Sequence, residues 1–124
     1  MADTTATVMG RLTADPELKF SNKGTAICSF SVAVNRKKGE EEYTSFFDCT
    51  AFGTMAQNIA DSLHKGDRVI VMGSLNQDRY ENKEGKNVSK VVMLVDGAGP
   101  DLRFKGARVT EAAGAPDSTP EAAF

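Results

Sequence analysis

The sequence has no tryptophan, a single histidine and only two cysteines among its 124 residues. Two cysteines are too few for a disulfide scaffold, and neither Cys28 nor Cys49 has the neighbours of a zinc site. No apolar run approaches the roughly 20 residues of a membrane-spanning helix. The start holds acidic Asp3 and no base before Arg11, the reverse of a secretory signal. We therefore expect a cytoplasmic protein with two buried thiols and no metal, cofactor or membrane contact.

The sequence also has no excess of positively charged residues. Lysine and arginine number 15 and aspartate and glutamate 17, for a net charge of −2. Three of the acidic residues lie in residues 110–124, which contain no base, so the first 109 residues hold 15 basic and 14 acidic side chains. Because a near-neutral domain still binds polyanions where its bases are grouped, the total charge does not exclude nucleic acid.

Short alternating segments dominate the chain and predict five main strands. They are Thr5 to Leu12, Ala26 to Val34, Tyr43 to Phe52, Arg68 to Tyr80, and Val88 to Val95. Gly10 inside the first strand predicts a bulge or sharp bend, and Leu18 to Phe20 a short extended piece. We expect Gly97 to Pro100 to end the fifth main strand and Leu102 to Val109 to form a further short one.

A helical period appears once, between the third and fourth main strands. Met55, Ile59 and Leu63 repeat at a spacing of four, which predicts a helix of about ten residues. Thr54 is expected to cap its start and Lys65-Gly66 to end it. This element order is that of the OB-fold, a five-stranded barrel that often binds oligonucleotides. We therefore predict an all-β OB-fold domain over residues 1–109.

The composition changes at Thr110 to alanine, glycine, proline, serine and acidic residues, as far as Phe124. Such a segment buries too little apolar area to offset the entropy lost on ordering. We predict a short, disordered acidic tail over residues 110–124.

One face of the third main strand carries two aromatic residues on an otherwise polar surface. It presents Phe46, Asp48, Thr50 and Phe52, whereas the alternate residues suit a barrel interior: Phe47, Cys49 and Ala51. Exposed aromatic rings stack on any base, since every base has a π-face. The same pattern arises where Phe46 or Phe52 packs under a loop or against another subunit.

Basic residues flank the aromatic strands. Those in the polar loop before Phe46 are Arg36, Lys37 and Lys38. Those around Tyr80 in the long hairpin are Arg79, Lys83 and Lys86. Cations beside exposed rings form a phosphate track next to a stacking surface. Glu40, Glu41 and Glu42 follow Lys38 closely, and a solvated charged loop has the same composition.

Groupings that could support catalysis are sparse. The carboxylates are scattered over turns, and His64 has no triad context. The segment Gly97 to Pro100 lacks the following helix of a phosphate-binding loop. A Cys–His nucleophile and an OB-fold nuclease with clustered carboxylates for a metal are therefore disfavoured, and we predict that the protein is not an enzyme.

Several motifs, in order, resemble bacterial and phage single-stranded DNA-binding proteins. Gly10 to Leu18 is similar to their G-x-L-x-x-D-P-E opening, and Phe46 to Gly53 to their third strand, which ends in Phe-Gly. Ala56 to Gly66 resembles their helix, and Val69 to Leu75 their V-x-V-x-G-x-L strand. Asp96 to Val109 resembles the actinobacterial branch, where an added strand clamps neighbouring subunits. The resemblance covers residues 4–109.

The resemblance implies a homotetramer that coats and protects single-stranded DNA, without sequence preference, in replication, recombination and repair. It therefore implies a nucleoid-associated location in the cytoplasm and no cofactor. The family's stacking aromatics map onto Phe46, Phe52 and Tyr80, and its phosphate contacts onto Lys65 and Arg79. A further family aromatic falls near Arg36, and Asp48 stands where relatives often carry a base.

The tail departs from the family pattern. Relatives usually end in several aspartates and a Pro-Phe pair that binds repair and replication proteins, whereas this sequence reads Pro120-Glu121-Ala122-Ala123-Phe124. We expect weak contact with such proteins through Phe124. The alternative function is an OB-fold accessory module that binds RNA or another protein.

Overall fold

The computed structural model describes residues 4–110, which form six strands and one helix. The elements are β1 (Thr5–Leu12), β2 (Glu17–Phe20), β3 (Ala26–Lys38), β4 (Glu41–Phe52), α1 (Thr54–Ser62), β5 (Arg68–Glu81) and β6 (Asn87–Pro100). Among these residues, no helix is both long and apolar enough to cross a membrane.

The sheet closes on itself into a barrel. Its strand order is β1-β5-β6-β4-β3-β2, and an additional β1–β3 pairing joins the ends of the five main strands. The β4–β6 pair is parallel and the other pairs are antiparallel. This topology, with the helix between the third and fourth main strands, confirms the predicted OB-fold.

Gly10 lies next to the point at which the pairing partner of β1 changes from β5 to β3. Residues Thr5 to Arg11 pair with β5, whereas Arg11 and Leu12 pair with β3. A Cβ atom on Gly10 would stand 2.3 Å from the backbone oxygen of Ala33. A residue without a side chain therefore lets the two strands approach closely enough to close the barrel.

The inward-facing side chains of the five main strands form the core. The largest of those that are fully buried are Leu12, Val32, Val69, Val71, Met93, Cys28 and Cys49. Helix α1 covers one end of the barrel with Ala56 and Ile59. The prediction that both thiols are buried is confirmed. Burial raises the pKa of both, that of Cys49 to about 12, so both are protonated at neutral pH.

The parallel pairing of β4 with β6 sets the direction of two long hairpins. It joins Asp48–Thr50 to Val92–Leu94, so the segments before Asp48 and before Val92 leave the barrel at the same end. These segments belong to the β3–β4 and β5–β6 hairpins. Helix α1 follows the other end of β4, so the barrel has a hairpin end and, opposite to it, a helix end.

Two of the predicted strand boundaries are wrong, because pairing extends strands through polar and glycine-rich sequence. Arg36 to Lys38 belong to β3, not to a loop, and pair with Tyr43 to Glu41. Gly97 to Pro100 continue β6 instead of ending it, and pair with Met72 to Val69. Backbone hydrogen bonds to a long neighbouring strand outweigh the weak intrinsic strand preference of these residues.

The further strand expected over Leu102 to Val109 is absent from residues 101–110, which form turns and irregular backbone. Asp101 is only 4% exposed, and its carboxylate accepts hydrogen bonds from the backbone N–H and the guanidinium of Arg103. These bonds turn the chain directly after β6 and hold the pKa of Asp101 below its usual value.

The helix ends also differ from expectation. Thr54 is the first helical residue, and Gly53 precedes it with a φ of 73° and no side-chain capping bond. Glycine adopts a positive φ without strain, and the tight turn from β4 into α1 requires one. The position before the helix is therefore occupied by Gly53 and not by a residue with a polar capping side chain. The helix ends at Ser62, which places Lys65 beyond its last turn. The predicted tail lies outside the described residues from position 111 onward.

Candidate nucleic-acid interface

The outward face of β4 carries its two predicted aromatic residues uncovered. Phe46 is 65% exposed and Phe52 49% exposed. Across the ladder they lie opposite Ala33 and Ile27 of β3, and between them Asp48 and Thr50 lie opposite two serines. This exposure excludes the alternative in which a loop of the described chain buries the two rings.

Tyr80, which is 51% exposed, lies on the same face of the sheet. It pairs with Val88 of β6, and Lys90 and Val92 follow on that face at intervals of two. Val92 pairs with Asp48, and the Lys90 Nζ lies 3.1 Å from the Asp48 Oδ2. We call the surface formed by Phe46, Asp48, Thr50, Phe52, Lys90 and Tyr80 the aromatic face.

A groove of about 290 Å³ runs along the aromatic face. Its walls carry the hydroxyl groups of Ser29, Ser31 and Thr50, together with Asp48 and Lys90. A hydroxyl group can rotate to donate or to accept a hydrogen bond, as its partner requires. The groove is therefore polar and adaptable, and aromatic rings stand beside it.

The structure adds one cation that sequence reasoning missed. Lys19 of β2 pairs with Ile27, which pairs with Phe52, so all three share the aromatic face. The signal was present in the alternation of Glu17 to Phe20. It could be used only once β2 was known to extend the sheet beyond β3.

The β3–β4 hairpin divides its three predicted cations between two faces. Lys37 lies on the same face as Phe46 and pairs with Glu42 of β4. Arg36 and Lys38 lie on the other face and pair with Tyr43 and Glu41, respectively. The structure therefore brings only the middle residue of the basic triplet to the aromatic face.

The cations around Tyr80 are also divided. Arg79 pairs with Ser89 and lies on the face opposite to Tyr80. Lys83 and Lys86 belong to the tip of the hairpin, where the Asn82 side-chain oxygen accepts bonds from the backbone of Glu84 and Lys86. The tip thus presents two lysines on a turn closed by its own side chain.

Lys65 lies at the helix end, apart from the hairpin cations. Its backbone N–H donates to the Asp15 Oδ1 at 2.8 Å, which ties the loop after α1 to the loop after β1. Asp15 also lines the groove, so Lys65 stands at the groove's helix end. The remaining predicted site residue, Phe124, lies outside the described residues.

The prediction that Phe47 lies in the barrel interior is wrong, although it is correct for Cys49 and Ala51. Phe47 is 36% exposed, because β4 continues past the barrel into the hairpin. Tyr43 lies on the same side of the β3–β4 hairpin as Phe47 and nearer to its tip. The Tyr43 hydroxyl donates a hydrogen bond to the Glu41 carboxylate, which raises the pKa of Tyr43. The hairpin therefore has a second exposed aromatic side, opposite to that of Phe46.

The part of the chain that the structure describes has no candidate metal-binding site. Across residues 4–110, no group of three or more histidine, cysteine, aspartate or glutamate side chains is close enough to hold a metal ion. The two cysteines are buried and protonated, and are therefore poor nucleophiles.

A closed five-stranded barrel with one helix and an open, polar face that carries aromatic rings defines an OB-fold binding protein. A family model described as "Single-strand binding protein family" matches residues 3–101. The chain belongs to this family.

The relatives agree with this assignment. The chain is 43% identical over 117 residues to the single-stranded DNA-binding protein of Mycolicibacterium smegmatis, covering 89% of this chain and 71% of that protein. It is 43% identical over 114 residues to that of Paenarthrobacter nicotinovorans, with coverages of 86% and 67%. With that of Bifidobacterium longum the identity is 36% over 115 residues, covering 87% of this chain and 53% of that protein. All three are actinobacterial proteins, as the resemblance in sequence suggested.

Proposed function

We propose that the protein binds single-stranded DNA without sequence preference through the aromatic face, and coats and protects it during replication, recombination and repair. The observation that carries this proposal is the placement of Phe46, Phe52 and Tyr80 on one open face of the barrel. Membership of the single-strand binding protein family supports the same ligand.

The proposed mechanism rests on stacking and charge. Three exposed rings offer surfaces for unpaired bases, which duplex DNA keeps inside its own stack. Lysines at both ends of the face neutralise phosphates and release counterions. Because neither contact reads base edges, the binding is independent of sequence.

A competition gel shift tests this function. Labelled oligo-dT is bound first, and unlabelled oligo-dT, duplex DNA and RNA of equal length are then added. We expect oligo-dT to compete far better than the other two. Equal or better competition by RNA would favour the alternative, an accessory RNA-binding module, and no complex with any of the three would favour a protein-interaction role.

Two adjacent lysines of β3 provide a matched test of the face assignment. Lys37→Ala removes a cation from the side of Phe46, whereas Lys38→Ala removes one from the opposite side. In titrations with oligo-dT at several salt concentrations, Lys37→Ala should reduce the slope of log K against log salt by about 0.7, the value for one phosphate contact on single strands. Lys38→Ala should leave the slope unchanged. Equal effects would mean that both sides of the hairpin contact the backbone.

Asp48 should weaken binding in the native protein. Its carboxylate places a negative charge between Phe46 and Phe52 and neutralises the Lys90 ammonium. Both groups are about half exposed, so the ion pair itself adds little to stability. We expect Asp48→Asn to tighten oligo-dT binding about five-fold at 0.1 M salt, because it removes a negative charge from the path of the phosphates. Asp61→Asn on the exposed side of α1 is the control. An equal gain in affinity with this variant would mean that the effect comes from the change in net charge and not from the position of Asp48.

We further propose that the chain assembles as a homotetramer. The edge of β1 away from β5 carries no partner strand from Thr5 to Gly10 within the described residues. Met9 and Met72 stand exposed on the outer face of the same two strands. A free strand edge and an apolar sheet face are surfaces that a second copy covers. Light scattering should give about four times 13.3 kDa, and a monomer would contradict this proposal.

The remaining parts of the proposal concern the tail and the location of the protein. We place the DNA-binding domain at residues 1–109 and assign residues 110–124 a weak role in contacting replication and repair proteins through Phe124. We place the protein at the nucleoid in the cytoplasm, where single-stranded DNA arises, and assign it no catalytic activity.

A further inference from the structure

The Asp15 side chain joins two loops that are distant in sequence. Its Oδ1 accepts a hydrogen bond of 2.8 Å from the backbone N–H of Lys65, which lies 50 residues further along the chain. Asp15 belongs to the loop after β1 and lines the groove of the aromatic face, whereas Lys65 belongs to the loop after α1. One side-chain oxygen therefore connects the wall of the groove to a cation at the helix end.

A carboxylate in the wall of the groove is unfavourable for direct contact with a polyanion. Within the described chain, the groove is lined by three carboxylates, those of Asp15, Glu17 and Asp48, and by one cation, Lys90, which pairs with Asp48. The two other carboxylates repel phosphate, so the groove suits uncharged bases, and the phosphates need cations beyond its ends. Any contribution of Asp15 to DNA binding must therefore come through another residue.

Lys65 carries a cation that is available to a phosphate. Its side chain is exposed, and among residues 4–110 no ion pair involves its ammonium group. The next residue, Gly66, is held by a backbone bond of 2.9 Å from its N–H to the Leu12 carbonyl. The Lys65 N–H is held by the Asp15 carboxylate instead. The bond to Asp15 therefore fixes this loop at the residue that bears the cation.

The loop that presents the acceptor is itself restricted. Pro16 follows Asp15, and a proline disfavours helical backbone angles at the residue before it. At the start of the same loop, the Thr13 N–H donates to the Ser31 carbonyl of β3 at 3.1 Å. The Asp15 carboxylate is therefore presented to Lys65 from a loop of limited conformational freedom.

We propose that Asp15 is a positioning residue for DNA binding, which holds Lys65 where its ammonium group contacts a phosphate of the strand as that strand leaves the groove. The inference rests on the proposed function and extends it to a residue whose charge is wrong for direct contact. The bond to Asp15 orders the loop before DNA arrives, so less entropy is lost on binding. The charge of Asp15 opposes binding and its hydrogen bond favours it, so substitution can separate the two effects.

Four substitutions in the full chain separate the hydrogen bond from the charge. Asp15→Asn removes the charge and retains an acceptor oxygen, whereas Asp15→Ala removes both. Glu17→Gln and Glu17→Ala make the matched changes on the same wall of the groove, where the carboxylate has no hydrogen-bond partner in the described chain. Each variant is titrated with oligo-dT at several salt concentrations, and thermal melting verifies that it is folded.

The expected difference lies between the amide and the alanine variant at position 15. At 0.1 M salt, Asp15→Ala should bind oligo-dT about five-fold less tightly than Asp15→Asn, with a salt slope lower by about 0.7, because one phosphate contact is lost. Glu17→Ala and Glu17→Gln should bind alike. In the Lys65→Ala background, Asp15→Ala and Asp15→Asn should also bind alike, since the cation that Asp15 positions is gone.

Asp15→Glu takes the place of Asp15→Ala if the alanine variant does not fold. It retains the charge and moves the carboxylate oxygens outward by one methylene group, so they no longer meet the Lys65 N–H at the same distance. Its salt slope should also be lower than that of the wild type by about 0.7, and this difference should disappear in the Lys65→Ala background.

Three results would overturn the inference. Equal binding by Asp15→Ala and Asp15→Asn would mean that the hydrogen bond does not affect contact with DNA. A five-fold difference that persists in the Lys65→Ala background would assign Asp15 to the shape of the groove and not to the placement of Lys65. Unchanged affinity of Lys65→Ala alone would mean that this lysine contacts no phosphate, although the proposed function would stand. Failure of the wild-type protein to bind oligo-dT would contradict the proposed function, and with it this inference.

Discussion

Phe52→Ala and Tyr80→Ala should each reduce the affinity for oligo-dT by about 1–3 kcal/mol, the usual contribution of one base–aromatic stack. This loss corresponds to about 5- to 150-fold in the dissociation constant. Both side chains are about half exposed, so their removal should leave the barrel folded. Fluorescence anisotropy of a labelled oligomer gives the affinity, and thermal melting gives the stability.

The chain offers a control of the same residue type for each variant. Phe20 is exposed on β2, but it pairs with inward-facing Ala26 and does not share the aromatic face. Tyr43 is exposed on the β3–β4 hairpin, on the side opposite to Phe46. Phe20→Ala and Tyr43→Ala should bind oligo-dT as the wild type does. If the controls lose as much affinity as the test variants, the face assignment is wrong.

Gly73→Ala should have the largest effect on stability. A Cβ atom at this position would lie 2.0 Å from the backbone oxygen of Leu94 and 2.8 Å from its carbonyl carbon. The ladder between β5 and β6 is already irregular there, with a register shift between Met72 and Gly73. Because backbone cannot move aside as a flexible side chain can, we expect a loss of about 3 kcal/mol or more in the free energy of unfolding.

Gly99→Ala is the matched control for this prediction. A methyl group added at Gly99 in β6 would have no atom within 4 Å, and the φ of this residue is not positive. The melting temperature of this variant should stay at or slightly above that of the wild type. Gly73→Ala should melt about 10 °C lower or more, given the usual relation between stability and melting temperature in domains of this size. Equal melting temperatures would show that β5 and β6 pack less closely at Gly73 than these distances require.

Local pattern was sufficient for the order of the main strands and the helix along the chain and for most of the core. The alternation of Cys28, Phe30 and Val32 predicts a buried face, and all three are buried. Gly10 was informative because a glycine interrupted an apolar strand. Gly73 gave no such signal, since it falls in an ordinary alternating position, and its role depends on Leu94, which lies 21 residues further along the chain.

The arrangement of the site depended on pairing between distant segments. That Lys37 and not Lys38 joins the aromatic face follows from the extension of β3 through a charged sequence, which composition alone assigned to a loop. That Tyr80 and Asp48 share a face follows from the parallel pairing of β4 with β6. Neither register is encoded in a short sequence window. The sequence could therefore name the aromatic residues, but it could not separate the cations that share their face, such as Lys37, from those that do not, such as Lys38.

Tyrosine fluorescence tests the stacking of bases on the aromatic face most directly. The chain contains two tyrosines and no tryptophan, so each emitter can be isolated by one conservative change. In Tyr43→Phe the emission comes from Tyr80, and we predict that it is quenched on titration with oligo-dT, as a base stacks on the ring. In Tyr80→Phe the emission comes from Tyr43 and should change little. Tight binding without quenching of Tyr80, or with quenching of Tyr43 alone, would contradict the account.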